Sequence, residues 1–300
     1  MAQIIDGKKI SSEIREEIAR QVEKLKQKGI QPHLTTVLVG ENPASQSYVR
    51  GKERACKKVG ISAEVETYPA SISQEKLLQI VDRLNQNQTV NGILVQLPLP
   101  KQVDENVIIQ AIDPSKDVDG FHPINFGKLA AGIEDAFVPC TPSGIIELLM
   151  RSGNPPEGKH VVIVGRSNIV SKPVGFLLLR KKKGEGNATV TFCHSRTKNM
   201  SEITKQADIL ISAVGQPELI TGNMVKKDVV VIDVGVNRVD DNNHPKGYRL
   251  VGDVHFAEVS KKASSITPVP GGVGPMTITQ LLQNTVKACI QLTQNKRNKG

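Results

Sequence analysis

The chain has no tryptophan and only 3% aromatic residues, so its cores are left to valine, isoleucine and leucine. Readers of single-stranded nucleic acid rely on aromatic stacking platforms, and this sequence barely supplies them. Cysteine is scarce too: Cys56, Cys140, Cys193 and Cys289 are widely spaced and form no CxxC pair. That pattern fits reduced thiols in a cytoplasmic protein better than a disulfide framework or a zinc site. The six histidines show no paired ligand spacing, so no metal is expected. No apolar run approaches the roughly 18 residues of a membrane span. Met1 to Lys9 lacks the apolar core of a signal peptide. Acid is the minority charge, with 30 Asp and Glu against 39 Lys and Arg, for a net charge of +9. A basic balance attracts nucleic acid or small anions. With so few aromatics, Lys181-Lys182-Lys183 and the tail Lys296-Arg297-Asn298-Lys299 read as solvated faces whose field suits an anionic cofactor and substrate.

What is present is a regular alternation of helix and strand patterns over 300 residues, enough for one large or two ordinary domains. Ile14, Ile18, Val22 and Leu25 make one helix face, stopped at Gly29. Strands are expected over 34–39, 62–67 and 92–96, and helices over 44–59, closed by Gly60, and 73–86. Such alternation argues for a parallel sheet covered by helices. Turn-rich sequence from Asp113 to Thr141, a short helix over 143–151 and a Pro/Gly linker over 153–158 interrupt it. A second α/β block then opens at Lys159, with further strands near 188–192, 208–212 and 229–233. The fold class is α/β in two domains, the second of Rossmann type.

In the second block, Val161 to Val164, Gly165 and the helix pattern Val174, Leu177, Leu178 give strand, tight turn and helix. That arrangement aims helix N–H groups at a phosphate. The fingerprint is incomplete, since Gly165-Arg166-Ser167-Asn168-Ile169-Val170-Ser171 lacks a second glycine, and a plain βα turn is the alternative. At the end of the next strand an NAD site wants a carboxylate for the ribose hydroxyl. Here stand His194-Ser195-Arg196-Thr197 instead, which with Arg166 suit a 2′-phosphate and hence NADP. Ala213-Val214-Gly215-Gln216-Pro217 and Asp233-Val234-Gly235-Val236-Asn237 each follow an apolar strand and are expected to line the cofactor crevice.

Tyr48 and Lys52 are spaced i, i+4, so on a helix they share a face. Surface decoration is the plainer reading of such a pair on its own. Gln96 ends an apolar strand, where a polar side chain points into a crevice, and Asp119 lies in the turn Lys116-Asp117-Val118-Asp119-Gly120. Ser265 to Thr277 packs three prolines and three glycines before a long helix pattern opening at Pro275, which alone reads equally as a rigid connector.

Six motifs occur in order: Tyr48-Val49-Arg50-Gly51-Lys52, Val95-Gln96-Leu97-Pro98-Leu99-Pro100, Lys116 to Gly120, Pro139-Cys140-Thr141-Pro142, Gly165-Arg166-Ser167 and Ser265 to Thr277. Together they resemble the methylenetetrahydrofolate dehydrogenase/cyclohydrolase family of the bifunctional FolD type, over about Ile10 to Cys289. The resemblance implies a folate-binding catalytic domain at 1–139 with a returning C-terminal helix at 276–300. An NADP-binding domain would span 140–275, with the cleft between the two. It implies oxidation of 5,10-methylenetetrahydrofolate with NADP and hydrolysis of the methenyl product to 10-formyltetrahydrofolate, in one-carbon metabolism and purine biosynthesis. A dehydrogenase without the second activity is the alternative.

By the same resemblance Lys52, Gln96, Tyr48 and Asp119 are catalytic. Tyr48, Asp119, Pro270, Gly271 and Gly272 hold the substrate, and Gly165, Arg166, Ser167, His194, Ser195, Gly215 and Val236 hold the cofactor. Glycine usually stands where this chain has Ser171, and a local adjustment is expected there. An amine serves in proton transfer near neutrality only if burial or a nearby cation lowers its pKa from about 10.4. A neutral Gln96 orients Lys52 without locking it, and Asp119 is suited to paired hydrogen bonds from the pterin. The partners implied are tetrahydrofolate derivatives, their polyglutamylation left open, and a second copy of the chain in a homodimer. No nucleic acid and no membrane are expected.

Overall fold

The hydrophobic periodicities settle into helices and strands along the whole chain of the computed structural model, which describes residues 2–241, 245 and 247–297. Of the expected basic tail, Asn298 and Lys299 lie outside the described residues, as do the side chains of Lys296 and Arg297. A short strand, β1 (Gln3–Ile4), precedes α1 (Gly7–Lys26), which buries Ile14, Ile18 and Val22. After β2 (His33–Val39) comes α2 (Pro43–Val59). The Asn42 side chain accepts from the N–H groups of Ala44 and Ser45, Pro43 opens the helix, and left-handed Gly60 closes it. β3 (Ser62–Tyr68), α3 (Gln74–Gln86), capped by Ser73, and β4 (Gly92–Val95) follow.

These three strands pair in the order β3-β2-β4, all parallel. Leu77, Ile80, Val81 and Leu84 of α3 join Val37, Val39, Ile93 and Val95 in one apolar core. Three further helices are α4 (Glu105–Ala111), α5 (Pro123–Ala130) and α6 (Cys140–Arg151). The segment expected as turns from Asp113 to Thr141 therefore contains a helix. α5 is two turns long, includes Gly127 and starts on the His122 ring nitrogen, which accepts from the Ile124 N–H, so it carries little periodic signal.

The second block runs β5 (His160–Val164), α7 (Ser171–Leu179), β6 (Thr189–Cys193), α8 (Met200–Thr204), β7 (Ile209–Ser212) and β8 (Val230–Asp233). An antiparallel pair, β9 (Asn237–Asp240) and β10 (Tyr248–Val251), is followed by α9 (Phe256–Val259), β11 (Ser265–Ile266) and α10 (Val273–Arg297). The sheet order is β6-β5-β7-β8-β11-β1 with every pair parallel, so the winding reverses at β5. In such sheets a ligand lies beyond the carboxyl ends of the strands at that reversal.

Two compact units result, Glu13–Cys140 with Ile278–Gly300, and Met1–Ser12 with Thr141–Thr277. The first twelve residues, expected with the folate-binding half, belong instead with the six-stranded sheet. The cause is pairing: Gln3 lies beside Ser265 and Ile4 beside Ile266. Among the described residues no helix is long and apolar enough to cross a membrane, and no cluster of ligating side chains is arranged for a metal. All four cysteines are free and buried.

Candidate active site

In the three-stranded unit, α2 leaves the carboxyl end of β2 and Gln96 follows the carboxyl end of β4, its N–H donating to the carbonyl of Val37 at 2.9 Å. Helical spacing puts Tyr48 and Lys52 on one face of α2. Tyr48 is 61% exposed, open to stack on a flat ligand, whereas Lys52 is half-buried. Lys52 Nζ donates to Gln96 Oε1 at 3.1 Å. The Gln96 Nε2 donates in turn to the Leu97 carbonyl at 2.7 Å, which keeps the amide oxygen toward the amine.

The two carboxylates of the Lys116 to Gly120 turn have separate jobs. Asp117 is buried and accepts from the N–H groups of Gly120, Phe121 and His122 and from Asn125 Nδ2, so it builds the turn. Among the described residues Asp119 has only the weak thiol donor of Cys140, 3.9 Å away, and stays available to a ligand. Burial raises its carboxyl pKa, the Lys52 charge opposes that rise and Asp117 adds to it. Buried Val118 and Gly120 fix the placement, Gly120 with φ of +74°. A Cβ at Gly120 would sit 2.6 Å from backbone atoms of Val138 and Pro139. The Val118 carbonyl is further held by Asn284 of α10 at 2.8 Å. Lys52, Gln96 and Asp119 are thus gathered electrostatically in one unit, with Tyr48 on the same helix face as Lys52.

In the six-stranded unit, register aligns Val164 with Cys193 and with Ser212, so Gly165, His194 and Ala213 leave the sheet at one level. Gly165 has φ of +140°, and a Cβ there would lie 2.5 Å from both the Ala213 carbonyl and the Ser171 hydroxyl. Arg166, Ser167, Ser195, Gly215 and Val236 are exposed, and His194 is half-buried. The His194 backbone and ring close a tight turn on Arg196 and Thr197, leaving Ser195 outward. No carboxylate stands at the end of β6.

The start of α7 differs from expectation. The Ser167 hydroxyl accepts from the N–H groups of Val170 and Ser171, the Ser167 carbonyl takes Lys172 N–H, and residue 173 is proline. The helix donors are therefore satisfied internally, and the amides left without an acceptor among the described residues are those of the loop 166–169. Ser171 is fully buried, its hydroxyl 3.5 Å from that of Ser167, so it fits beside Gly165 without displacing the turn. Of the Pro/Gly stretch, Pro270 is exposed and Gly271 half-buried, whereas buried Gly272 faces Gly7, where an added Cβ would come within 1.8 Å of the Gly272 carbonyl. The missing side chains there serve internal packing first.

Residues 5–119 match the family model described as tetrahydrofolate dehydrogenase/cyclohydrolase, catalytic domain, and residues 139–293 match that family's NAD(P)-binding domain. The chain belongs to the tetrahydrofolate dehydrogenase/cyclohydrolase family. It is 56% identical over 297 residues to the bifunctional protein FolD of Oceanobacillus iheyensis, covering 99% of this chain and 100% of that one. It is 58% identical over 287 residues to that of Chlorobium chlorochromatii, covering 95% and 97%. A crystal structure of bifunctional FolD from Campylobacter jejuni superposes with a TM-score of 0.91 at 48% identity, covering 97% and 99%. The Trypanosoma brucei dehydrogenase-cyclohydrolase, complexed with NADP and an inhibitor, superposes at 0.90 with 41% identity, covering 98% and 99%. The second half of this family member is accordingly an NAD(P)-binding domain. Sequence reasoning passed over Asp253 and read Asp233 only as part of a loop, yet both are buried under the candidate cofactor loops. Their signal was weak, because an acid beside a glycine in a loop reads as an ordinary turn.

Proposed function

We propose that the protein oxidises 5,10-methylenetetrahydrofolate to the methenyl cation with NADP⁺ and then hydrolyses that cation to 10-formyltetrahydrofolate. The observation that carries this reading is the Lys52 Nζ to Gln96 Oε1 contact beside Asp119. Residues 13–140 with the last helix hold the folate, and the six-stranded unit holds the dinucleotide. The donor set fits NADP⁺: the free amides of 166–169 and the Arg166 guanidinium suit phosphate, and Ser195 meets a 2′-phosphate where an acid would repel it. When bound, NADP⁺ supplies the hydride acceptor.

On the folate side, the Tyr48 ring gives the pterin a flat support and Asp119 accepts from its amino and ring N–H groups. As water adds to the methenyl carbon one proton must leave, and the Lys52 amine, oriented by Gln96, is the group that relays it. The reading extends to a cytoplasmic homodimer that supplies one-carbon units to purine biosynthesis and accepts polyglutamylated folates, with no nucleic-acid or membrane partner. The outer edge of β6, with Phe192 and Leu179 exposed, supports self-association, which light scattering tests.

The deciding assay gives purified protein methylenetetrahydrofolate with NADP⁺ or NAD⁺ and follows reduced cofactor and methenyl absorbance together. NADPH formation without lasting methenyl accumulation is expected. Stoichiometric methenyl accumulation would mark a dehydrogenase alone, and no reduced cofactor would overturn the reading.

A further inference from the structure

Beneath the cofactor loops of the six-stranded unit lie two carboxylates that the proposed chemistry does not use. Asp253 is fully buried. Its Oδ2 accepts from Val214 N–H at 2.7 Å and Gly215 N–H at 3.2 Å, and its Oδ1 from Gln216 N–H and Asn237 Nδ2, both at 3.0 Å. Asp233, 3% exposed, accepts in turn from the N–H groups of Asp253, Gly235 and Val254. Close approach is built in: a Cβ on Gly235 would fall 2.1 Å from Asp253 Oδ1, and one on Gly252 would fall 1.7 Å from Asp233 Oδ2. Three successive amides of the β7 loop therefore converge on one carboxylate.

A trans peptide points its carbonyl opposite to its N–H. Amides drawn onto Asp253 thus turn the Val214 and Gly215 carbonyls away from it, and no donor among the described residues takes either oxygen. The loop carries these acceptors beyond the carboxyl end of β7, beside the sheet's winding reversal, and Gly215 and Gln216 are exposed. Outward carbonyls recognise N–H donors. Within a nicotinamide dinucleotide, the nicotinamide carboxamide is a donor of that kind away from the phosphates. We propose that Asp253 is a positioning residue which, through the β7 loop, presents the Val214 and Gly215 carbonyls to the nicotinamide carboxamide. This rests on the NADP-dependent reading above.

The test uses the full-length protein. In Asp253→Asn an amide N–H₂ must face amide donors, so the loop loses its orientation. The KM for NADP⁺ should rise about tenfold, the scale of one or two lost hydrogen bonds between neutral groups. Hydrolysis of preformed methenyltetrahydrofolate needs no dinucleotide and should be unchanged. Inhibition by adenosine 2′,5′-bisphosphate, which reaches only the Arg166 and Ser195 side, should also keep its constant. An unchanged KM for NADP⁺ overturns the proposal, and so does an equal loss for the bisphosphate, which would make Asp253 a general support of the unit. A second measurement needs no variant: the 3-acetylpyridine analogue of NADP⁺ has a methyl group in place of the carboxamide N–H₂. The wild-type protein should bind it about tenfold more weakly, and equal binding overturns the proposal. A wild-type protein that oxidises methylenetetrahydrofolate with NADP⁺ but fails these tests refutes this inference alone. A wild-type protein without that activity refutes the functional reading.

Discussion

Arg166→Ala isolates the recognition of the cofactor's extra phosphate. Arg166 directly follows the Gly165 turn, is exposed and has no ion-pair partner among the described residues. Removing its guanidinium should cost the fold almost nothing, so any change in affinity belongs to the ligand. A hydrogen bond to a charged group contributes about 1.5–3 kcal/mol, or roughly 10- to 150-fold in affinity. Exposure and salt screening put this site at the lower end, about tenfold at physiological ionic strength. The assay is the KM for NADP⁺ and for NAD⁺ on one preparation at two ionic strengths. The variant should lose NADP⁺ affinity about tenfold with NAD⁺ nearly unchanged, and its remaining preference should respond less to salt. Equal losses for both cofactors would make Arg166 a part of the loop's architecture and refute the 2′-phosphate argument.

Three further outcomes are expected. Lys52→Met should abolish methenyl hydrolysis while leaving NADP⁺ binding intact, since it removes the amine that Gln96 orients; stopped-flow methenyl decay at the wild-type rate would refute the role. Asp119→Asn should lower both activities together without moving NADP⁺ affinity, because both steps use the same bound ring; loss of hydrolysis alone would assign Asp119 to proton transfer. In the same variant the pH dependence of stability should change. Burial raises the folded carboxyl pKa of Asp119, so its contribution is complete below the ordinary carboxylate pKa and is lost as pH rises through the folded value. Melting temperatures of variant and wild type should then diverge in the variant's favour from acid toward neutral pH. Gly120→Ala combines a left-handed backbone with contacts near 2.6 Å to Val138 and Pro139, so the urea midpoint should fall by the equivalent of about 1–3 kcal/mol; an unchanged midpoint would show that the turn yields.

Strands such as 34–39 and 161–164 were legible because they are short β-branched runs between turns, and α2 because a glycine closes it. Two-residue strands have no periodicity to read. β1 and β11 exist through each other and through β8, so only tertiary pairing reveals them. Lys52 and Tyr48 could be paired from helical spacing alone, but the Lys52 to Gln96 contact joins a helix to a strand end and follows from sheet order. The start of α7 misled for a local reason: Ser167 competes as a side-chain acceptor for amides that the strand-turn-helix pattern leaves to a phosphate. The division of labour between Asp117 and Asp119 was open in sequence, since both flank the packed Val118, and only the hydrogen bonds to residues 120–122 separate them.

The pairing of β1 with β11 joins the beginning of the chain to a strand made near its end. During synthesis β1 emerges ahead of both α/β blocks, and its partner β11 only after both have been translated. The six-stranded sheet is therefore complete only late, through a contact of very high sequence separation, and such contacts form slowly because a long loop must close first. A fragment cut at Thr141 would keep β5 to β8 and β11 but lose β1, leaving the backbone edge of β11 uncovered and open to pairing with another chain. The compact unit built on the six-stranded sheet thus has two segments of sequence, the first of which brings β1.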